Sequence, residues 1–204
     1  LECNVGVAAG WNLGIRIAMY NQAQAVAVLG NDTLPVPGMF GRLITLLNAG
    51  CPFVTGTAIP YAAAAQPEVQ CPPAAPSDTL LCAPDFSCWM APVTTFQVLG
   101  AWETSNGVPQ PFSPWDLGMF DARFYPAYFE DNDFHHRLCR AGIIAVRDPG
   151  AVFGHETSLT IRTHPDLASA NTETFARNAE LFRQKWGGLP HELDTPATAK
   201  PANV

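Results

Sequence analysis

The sequence predicts an α/β protein with a mixed, mostly parallel sheet flanked by helices. Three observations carry that expectation. Residues 4–59 alternate helix, strand, acidic loop, helix and strand, the rhythm of a sheet built with crossover helices. Two short continuous apolar runs, residues 25–29 (AVAVL) and 51–59 (CPFVTGTAI), are bounded by turn residues, as buried parallel strands are. The segments before and between them place apolar residues at helical spacing: Ile15, Ala18 and Met19 in one, Met39, Leu43, Leu46 and Leu47 in the other.

Residues 4–20 form a glycine-rich loop running into a helix, with Asn12 as the candidate cap. The run 25–29 ends in Gly30-Asn31-Asp32, and Pro35 and Pro37 close that loop. In open α/β sheets ligands bind outside the carboxyl ends of the strands, which makes Asn31 and Asp32 candidate ligand-binding residues. The competing reading is a plain turn aspartate. Gly56 is a weak point in the second run. Residues 60–86 hold six prolines and little periodicity, which predicts an irregular excursion rather than a second domain.

Residues 86–99 read as strand then helix, with Pro92 suited to a first helical turn. Residues 100–118 carry Trp102 and Trp115 on a proline-containing loop, where an exposed ring either stacks on a sugar or anchors the loop. Residues 143–146 are a short strand, Asp148-Pro149-Gly150 a turn, and Gly154-His155-Glu156 follows the next apolar residues. Residues 171–186 form an amphipathic helix with Phe175, Ala179, Phe182 and Trp186 on one face, ended by Gly187-Gly188. The result is one domain over residues 1–193 and a mobile tail over 194–204.

A net charge of −7 with only 11 basic residues disfavours a nucleic-acid partner, which needs a basic footprint. A bound phosphate would be neutralised mostly by a metal ion. The six cysteines include no C-x-x-C pair, which speaks against a zinc ribbon or a thioredoxin-like site. They read as thiols, with one disulfide among Cys71, Cys82 and Cys88 conceivable. No apolar run approaches the ~20 residues of a membrane span, so a cytoplasmic location is expected, with peripheral membrane attachment left open. A chain that starts at Leu1 rather than Met reads as a fragment or a processed product.

Residues 124–142 pack Glu130, Asp131 and Asp133 into four positions after an aromatic run. A helix begins there, with Phe134, Leu138 and Ala141 at helical spacing, Gly142 placed to stop it, and Asp133 four residues before Arg137. Acids in a first turn suit the helix dipole, which is the structural reading. The functional reading draws on the whole chain: Asn31-Asp32, residues 130–133 and His155 each put oxygen or imidazole donors at a loop edge. Such donors suit a hard divalent cation, Mn²⁺ above all where an imidazole takes part, and a spare carboxylate can act as general base.

Four blocks in this order resemble the inverting, GT-A-fold, family-two type of glycosyltransferase, particularly its rhamnosyltransferase-like bacterial and phage members. The blocks are NVGVAAGWNLGI at 4–15, VLGNDT at 28–33, YFEDNDF at 128–134 with Arg137 and Ala141-Gly142, and the segment 149–155 ending in His155. Lys185-Trp186-Gly187-Gly188 is also a common ending among relatives. The resemblance implies a GT-A-like (Rossmann-like) sheet and sugar transfer from a nucleotide-diphosphate sugar to a carbohydrate or other hydroxyl acceptor. It implies Asp32 and His155 as ligands of Mn²⁺ or Mg²⁺, with Asn31 beside them and Asn12 in the cofactor-binding block. Asp131 matches the catalytic base, and Glu130 and Asp133 would support it or contact the acceptor. Trp89 and Trp115 are candidates for the sugar or acceptor pocket.

Two departures from the family pattern stand out. Asn31 occupies a position where many relatives carry Asp. The βαβ unit that normally precedes the first block, and reads the nucleotide base, is missing. The rival expectation is therefore a non-catalytic or truncated GT-A-like module that binds a carbohydrate or a partner. A metal-dependent hydrolase is a weaker rival, since the chain has no H-x-H or H-E-x-x-H pair.

Overall fold

The computed structural model describes residues 4–75, 80, 84–108, 116–156 and 165–193, with side chains described from residue 171 in the last stretch. Trp115 and the expected tail at 194–204 lie outside the described residues. In chain order the elements are α1 (Val7–Tyr20), β1 (Ala25–Leu29), β2 (Thr33–Pro35), α2 (Met39–Asn48), β3 (Phe53–Ile59) and α3 (Tyr61–Ala64). They continue with β4 (Cys88–Pro92), α4 (Val93–Asn106), α5 (Glu130–Arg140), β5 (Ala145–His155) and α6 (Pro165–Trp186). The protein is thus mixed α/β. No helix among the described residues is long and apolar enough to cross a membrane.

The chain divides into two compact units whose segments alternate in sequence. One holds the described residues of 24–92 and 142–157 and contains the whole sheet; the other holds α1, α4, α5 and α6.

In the sheet unit the strand order is β1-β4-β3-β5-β2. The expected mostly parallel sheet is mostly antiparallel: β3 and β5 alone run parallel, while β1–β4, β3–β4 and β2–β5 are antiparallel. The α2 crossover does turn β1 and β3 the same way, as its spacing predicts. However, β4 inserts between them and pairs antiparallel with both. β1 is therefore an edge strand in which Val26 alone is buried, not the buried central strand that its apolar run suggests.

β1 and β2 form opposite edges, although Gly30-Asn31-Asp32 alone separates them. Edges four strand spacings apart in a flat sheet would lie ~19 Å from each other. Leu29 to Thr33 spans at most ~14 Å. The sheet must therefore curl, which carries the Asn31-Asp32 loop toward the strand that β2 pairs with, β5.

The expected turn at Asp148-Pro149-Gly150 is instead the middle of β5. The ladder steps from Thr55↔Arg147 to Thr57↔Val152, leaving 148–151 opposite Gly56 alone. Pro149 falls in that irregularity, where no ladder N–H is required of it. Asp148 is fully buried beneath the irregularity and accepts a two-pronged pair from Arg42, Nε to Oδ2 at 2.8 Å and Nη2 to Oδ1 at 2.9 Å. Arg42 Nη1 also donates to the carbonyls of Pro72 and Pro73, which fastens the proline-rich excursion onto α2.

The core of this unit gathers Met39, Leu43, Val54, Met90, Val146 and Phe153, with Trp89 stacked on Phe53 at 5.1 Å. Cys51, Cys71 and Cys88 are buried free thiols, as is Cys139 in the helical unit. Burial raises the pKa of Cys88 to about 12, with Asp85 adding to it, so it packs as a small apolar group.

The helical unit packs Phe96, Phe120 and Phe134 together, with Phe120 stacked on Phe134 at 4.2 Å. A second cluster joins Phe124, Phe129 and Phe182. α1 starts at Val7 with Gly6 as its N-cap, so Asn12 is not the cap but an interior helical residue. Its amide clamps the backbone of Phe120, donating to the carbonyl at 2.7 Å and accepting from the N–H at 2.9 Å. α5 runs from Glu130 to Arg140 and α6 ends at Trp186, as their patterns predict. Gly142 and Gly187 lie just beyond these ends at φ 71° and 85°, a backbone region that suits glycine.

Candidate functional site

The sequence candidates fall in two groups, one in each unit. On the sheet, the pairing Thr33↔His155 sets Asp32 next to the end of β5. Thr33 N–H and Oγ1 both donate to the Gly30 carbonyl, at 3.1 and 2.7 Å, and close the turn. Asp32 Oδ2 then lies 3.3 Å from His155 Nε2. Asp32 is 40% exposed at its side chain and His155 14%, so the pair is reachable from solvent yet held. The structure thus brings together Asp32 and His155, while Asn31 is an exposed neighbour in the same loop. Among the described residues, no group of three or more His, Cys, Asp or Glu converges as a metal site.

Ser87, which sequence reasoning passed over, completes this cluster. Its Oγ is 3.4 Å from His155 Nδ1, on the far side of the ring from Asp32. Its backbone is tied in two directions: Ser87 N–H donates to Asp85 Oδ1 at 3.0 Å, and its carbonyl accepts from Gly30 N–H at 2.8 Å. The D-x-S step of an Asx turn before β4 was the available signal, and it speaks of turn geometry rather than of a site.

In the helical unit the three acids at the start of α5 end up in different states. Asp133 is fully buried. Oδ2 accepts from Arg137 Nε at 2.9 Å, and Oδ1 accepts from Lys185 Nζ at 2.7 Å and Trp186 Nε1 at 2.8 Å. Arg137 also pairs with Glu103, and Lys185 with Asp121, which is held by Arg123 as well. Burial would push the Asp121 carboxyl up, but its bonds to Arg123 and Lys185 win and hold it well below the usual range. Asp133 has no oxygen left for an acceptor, so its expected role at the site is corrected to that of a structural hub.

Glu130 is 7% exposed, and its Oε2 is buried without a hydrogen-bond partner. Backbone N–H groups at Tyr128 and Glu130 serve its carboxylate. Burial, followed by the Asp131 charge, outweighs them and pushes its pKa up to about 8. Glu130 therefore carries a proton at neutral pH and is a hydrogen-bond donor rather than a base. Asp131 is half-buried and accepts from Asn132 N–H at 2.7 Å.

Both acids line a cavity of about 510 Å³ walled by Tyr128, Phe129, Phe175 and His191 among others. Tyr128 and Phe129 hold φ of 78° and 71°, the left-handed region that costs a bulky residue ~1–3 kcal/mol. Phe129 is kept there by packing on Phe182 and Phe175.

Two further candidates are core residues. Trp89 is fully buried against Phe53 and offers no face to a sugar. Asn12 is fully buried, bonded to Phe120 and bonded to Asp116, so its amide serves the helical core.

In comparisons with known proteins, no family model, no curated protein and no solved structure matches this chain.

Proposed function

We propose that this chain is an inverting glycosyltransferase of GT-A type, moving a sugar from a nucleotide-diphosphate sugar to an acceptor hydroxyl with Mn²⁺ or Mg²⁺. The observation that carries the reading is the Asp32–His155 clasp, two donors remote in sequence that meet at 3.3 Å. Two adjacent ligands each ~2.1 Å from one ion, at an angle of ~100°, lie roughly 3.2 Å apart, so the clasp has the span of a divalent cation. Carboxylate plus imidazole is also a donor set that Mn²⁺ accepts. Two protein ligands are few, as expected where substrate phosphates fill other positions.

A cation bound there would neutralise charge on the departing diphosphate. In this reading Asp32 Oδ2 and His155 Nε2 hold it, and Asn31 offers an uncharged amide alongside. The family resemblance assigns the proton of the acceptor hydroxyl to Asp131, which lines the cavity of the helical unit. Glu130, protonated at neutral pH, donates a hydrogen bond to the acceptor instead of competing for its proton.

The test is turnover of UDP-, GDP- and dTDP-sugars with Mn²⁺ or Mg²⁺ and a panel of hydroxyl acceptors. Asp131→Asn should keep donor binding and lose at least ~10²-fold in transfer, the low end for a general base. Unchanged turnover removes Asp131 as the base. The mostly antiparallel sheet departs from the expected GT-A-like one, and the second reading is a module that binds a carbohydrate or a partner without transferring sugar. Binding of a sugar nucleotide with no turnover on any acceptor would support it.

A further inference from the structure

Resting on that reading of the clasp, we infer that Ser87 is a positioning residue that lets His155 exchange ring tautomers when a divalent cation enters. The geometry is a row of three groups: Asp32 Oδ2 at 3.3 Å from Nε2, and Ser87 Oγ at 3.4 Å from Nδ1. A neutral imidazole donates from one nitrogen and accepts at the other. Beside a bare carboxylate, the favourable arrangement places the proton on Nε2, donating to Asp32. Nδ1 then needs a donor, and the Ser87 hydroxyl supplies one.

Cation binding needs the Nε2 lone pair, so the proton must move to Nδ1, which then needs an acceptor. The same hydroxyl becomes that acceptor by rotating its hydrogen. Proton count is unchanged: one ring proton leaves Nε2 for solvent and one arrives at Nδ1 from it.

A methyl group at this position serves neither state, and a carboxylate or carbonyl would serve the cation-bound state alone. The position is also mechanically apt. The Ser87 carbonyl holds Gly30 N–H at 2.8 Å, two residues before Asp32, so Ser87 fixes the loop carrying one donor and the ring carrying the other. Partners on the second nitrogen of a metal-binding histidine typically matter 10–100-fold in affinity.

The same row of side chains is the order of a serine nucleophile, its base and an orienting acid. The clasp reading differs in its predictions. Nitrogen-15 spectra of the His155 ring should show the Nε2–H tautomer in the cation-free protein and the Nδ1–H tautomer with Zn²⁺ as a diamagnetic probe. Mn²⁺ affinity, read by electron paramagnetic resonance with UDP present, should fall at least tenfold in Ser87→Ala and stay within about threefold of wild type in Ser87→Thr. The cation-free Nε2–H tautomer should survive in Ser87→Ala, and an unchanged circular dichroism spectrum and melting transition report that the variant is folded.

A ring whose tautomer is the same with and without cation, or equal Mn²⁺ affinity in wild type and Ser87→Ala, overturns the role of Ser87 and leaves the clasp standing. A wild type that binds no Mn²⁺ overturns the clasp itself. Labelling of Ser87 by a fluorophosphonate probe would overturn both in favour of a nucleophile.

Discussion

Asp133 and Asp32 were offered by the sequence on similar grounds, and the fold puts them to opposite uses. Asp133 is fully buried, and both of its oxygens are occupied by Arg137, Lys185 and Trp186. Asp32 is 40% exposed and meets a single imidazole edge. A buried carboxylate with both oxygens occupied by donors of the core holds a fold together, whereas one with spare coordination at a reachable edge can hold a ligand. Within the acidic stretch the same contrast separates Asp133 from its neighbours Glu130 and Asp131, which line a cavity.

The largest expected effect that tests this contrast is on stability. Asp133→Ala leaves Lys185 and Arg137 partly unpaired in the core of the helical unit, which should cost about 3–5 kcal/mol in urea denaturation. A loss below ~1 kcal/mol would break the distinction between hub and site.

Per pH unit, a middle-sized effect belongs to Glu130. Its folded pKa is raised to about 8 from an ordinary 4.5, so its protonated form is the one the fold favours. The stability this brings is fully present below about pH 4.5 and is lost as pH rises through about 8. Glu130→Gln does not titrate there. The Tm of wild type relative to that variant should therefore fall steadily between these limits, by the equivalent of ~1.4 kcal/mol per pH unit at most. A pH-independent difference would mean that Glu130 is already ionised and solvated in the folded protein.

The smallest effect is expected at Asp32. Asp32→Ala should leave stability within about 0.5 kcal/mol of wild type, because its side chain is 40% exposed and, among the described residues, ends the row of polar contacts at His155. A loss of several kcal/mol would turn Asp32 into a second Asp133.

Much of the helical unit was legible because its signals are local. The spacing of Phe134 and Leu138, the stop at Gly142 and the Asp133–Arg137 pair all lie within one short stretch and came out as read. Local pattern could not tell that Lys185 and Trp186, far along the chain, would take up the other oxygen of Asp133. The sheet was harder, because an apolar run such as residues 25–29 looks the same on an edge as in the middle, and parallel or antiparallel pairing depends on where β4 inserts. Pro149-Gly150 carries the marks of a turn, and only the interrupted ladder opposite Gly56 lets a strand pass through it. At the candidate site, Asp32 and His155 were legible as donor types at strand ends. Ser87 was not, since a lone serine before a strand says nothing until the His155 ring is known to lie beside it.

The Asp32–His155 clasp is proposed to take a divalent cation together with a nucleotide diphosphate. Its most direct measurement is a thermal-shift series with UDP, GDP and dTDP, each with and without Mn²⁺, on wild type and on Asp32→Ala. At least one nucleotide should raise the wild-type Tm by several degrees with Mn²⁺ and not without it, and Asp32→Ala should abolish that rise. A wild type that no nucleotide stabilises in the presence of Mn²⁺, or a rise that survives in Asp32→Ala, would contradict it.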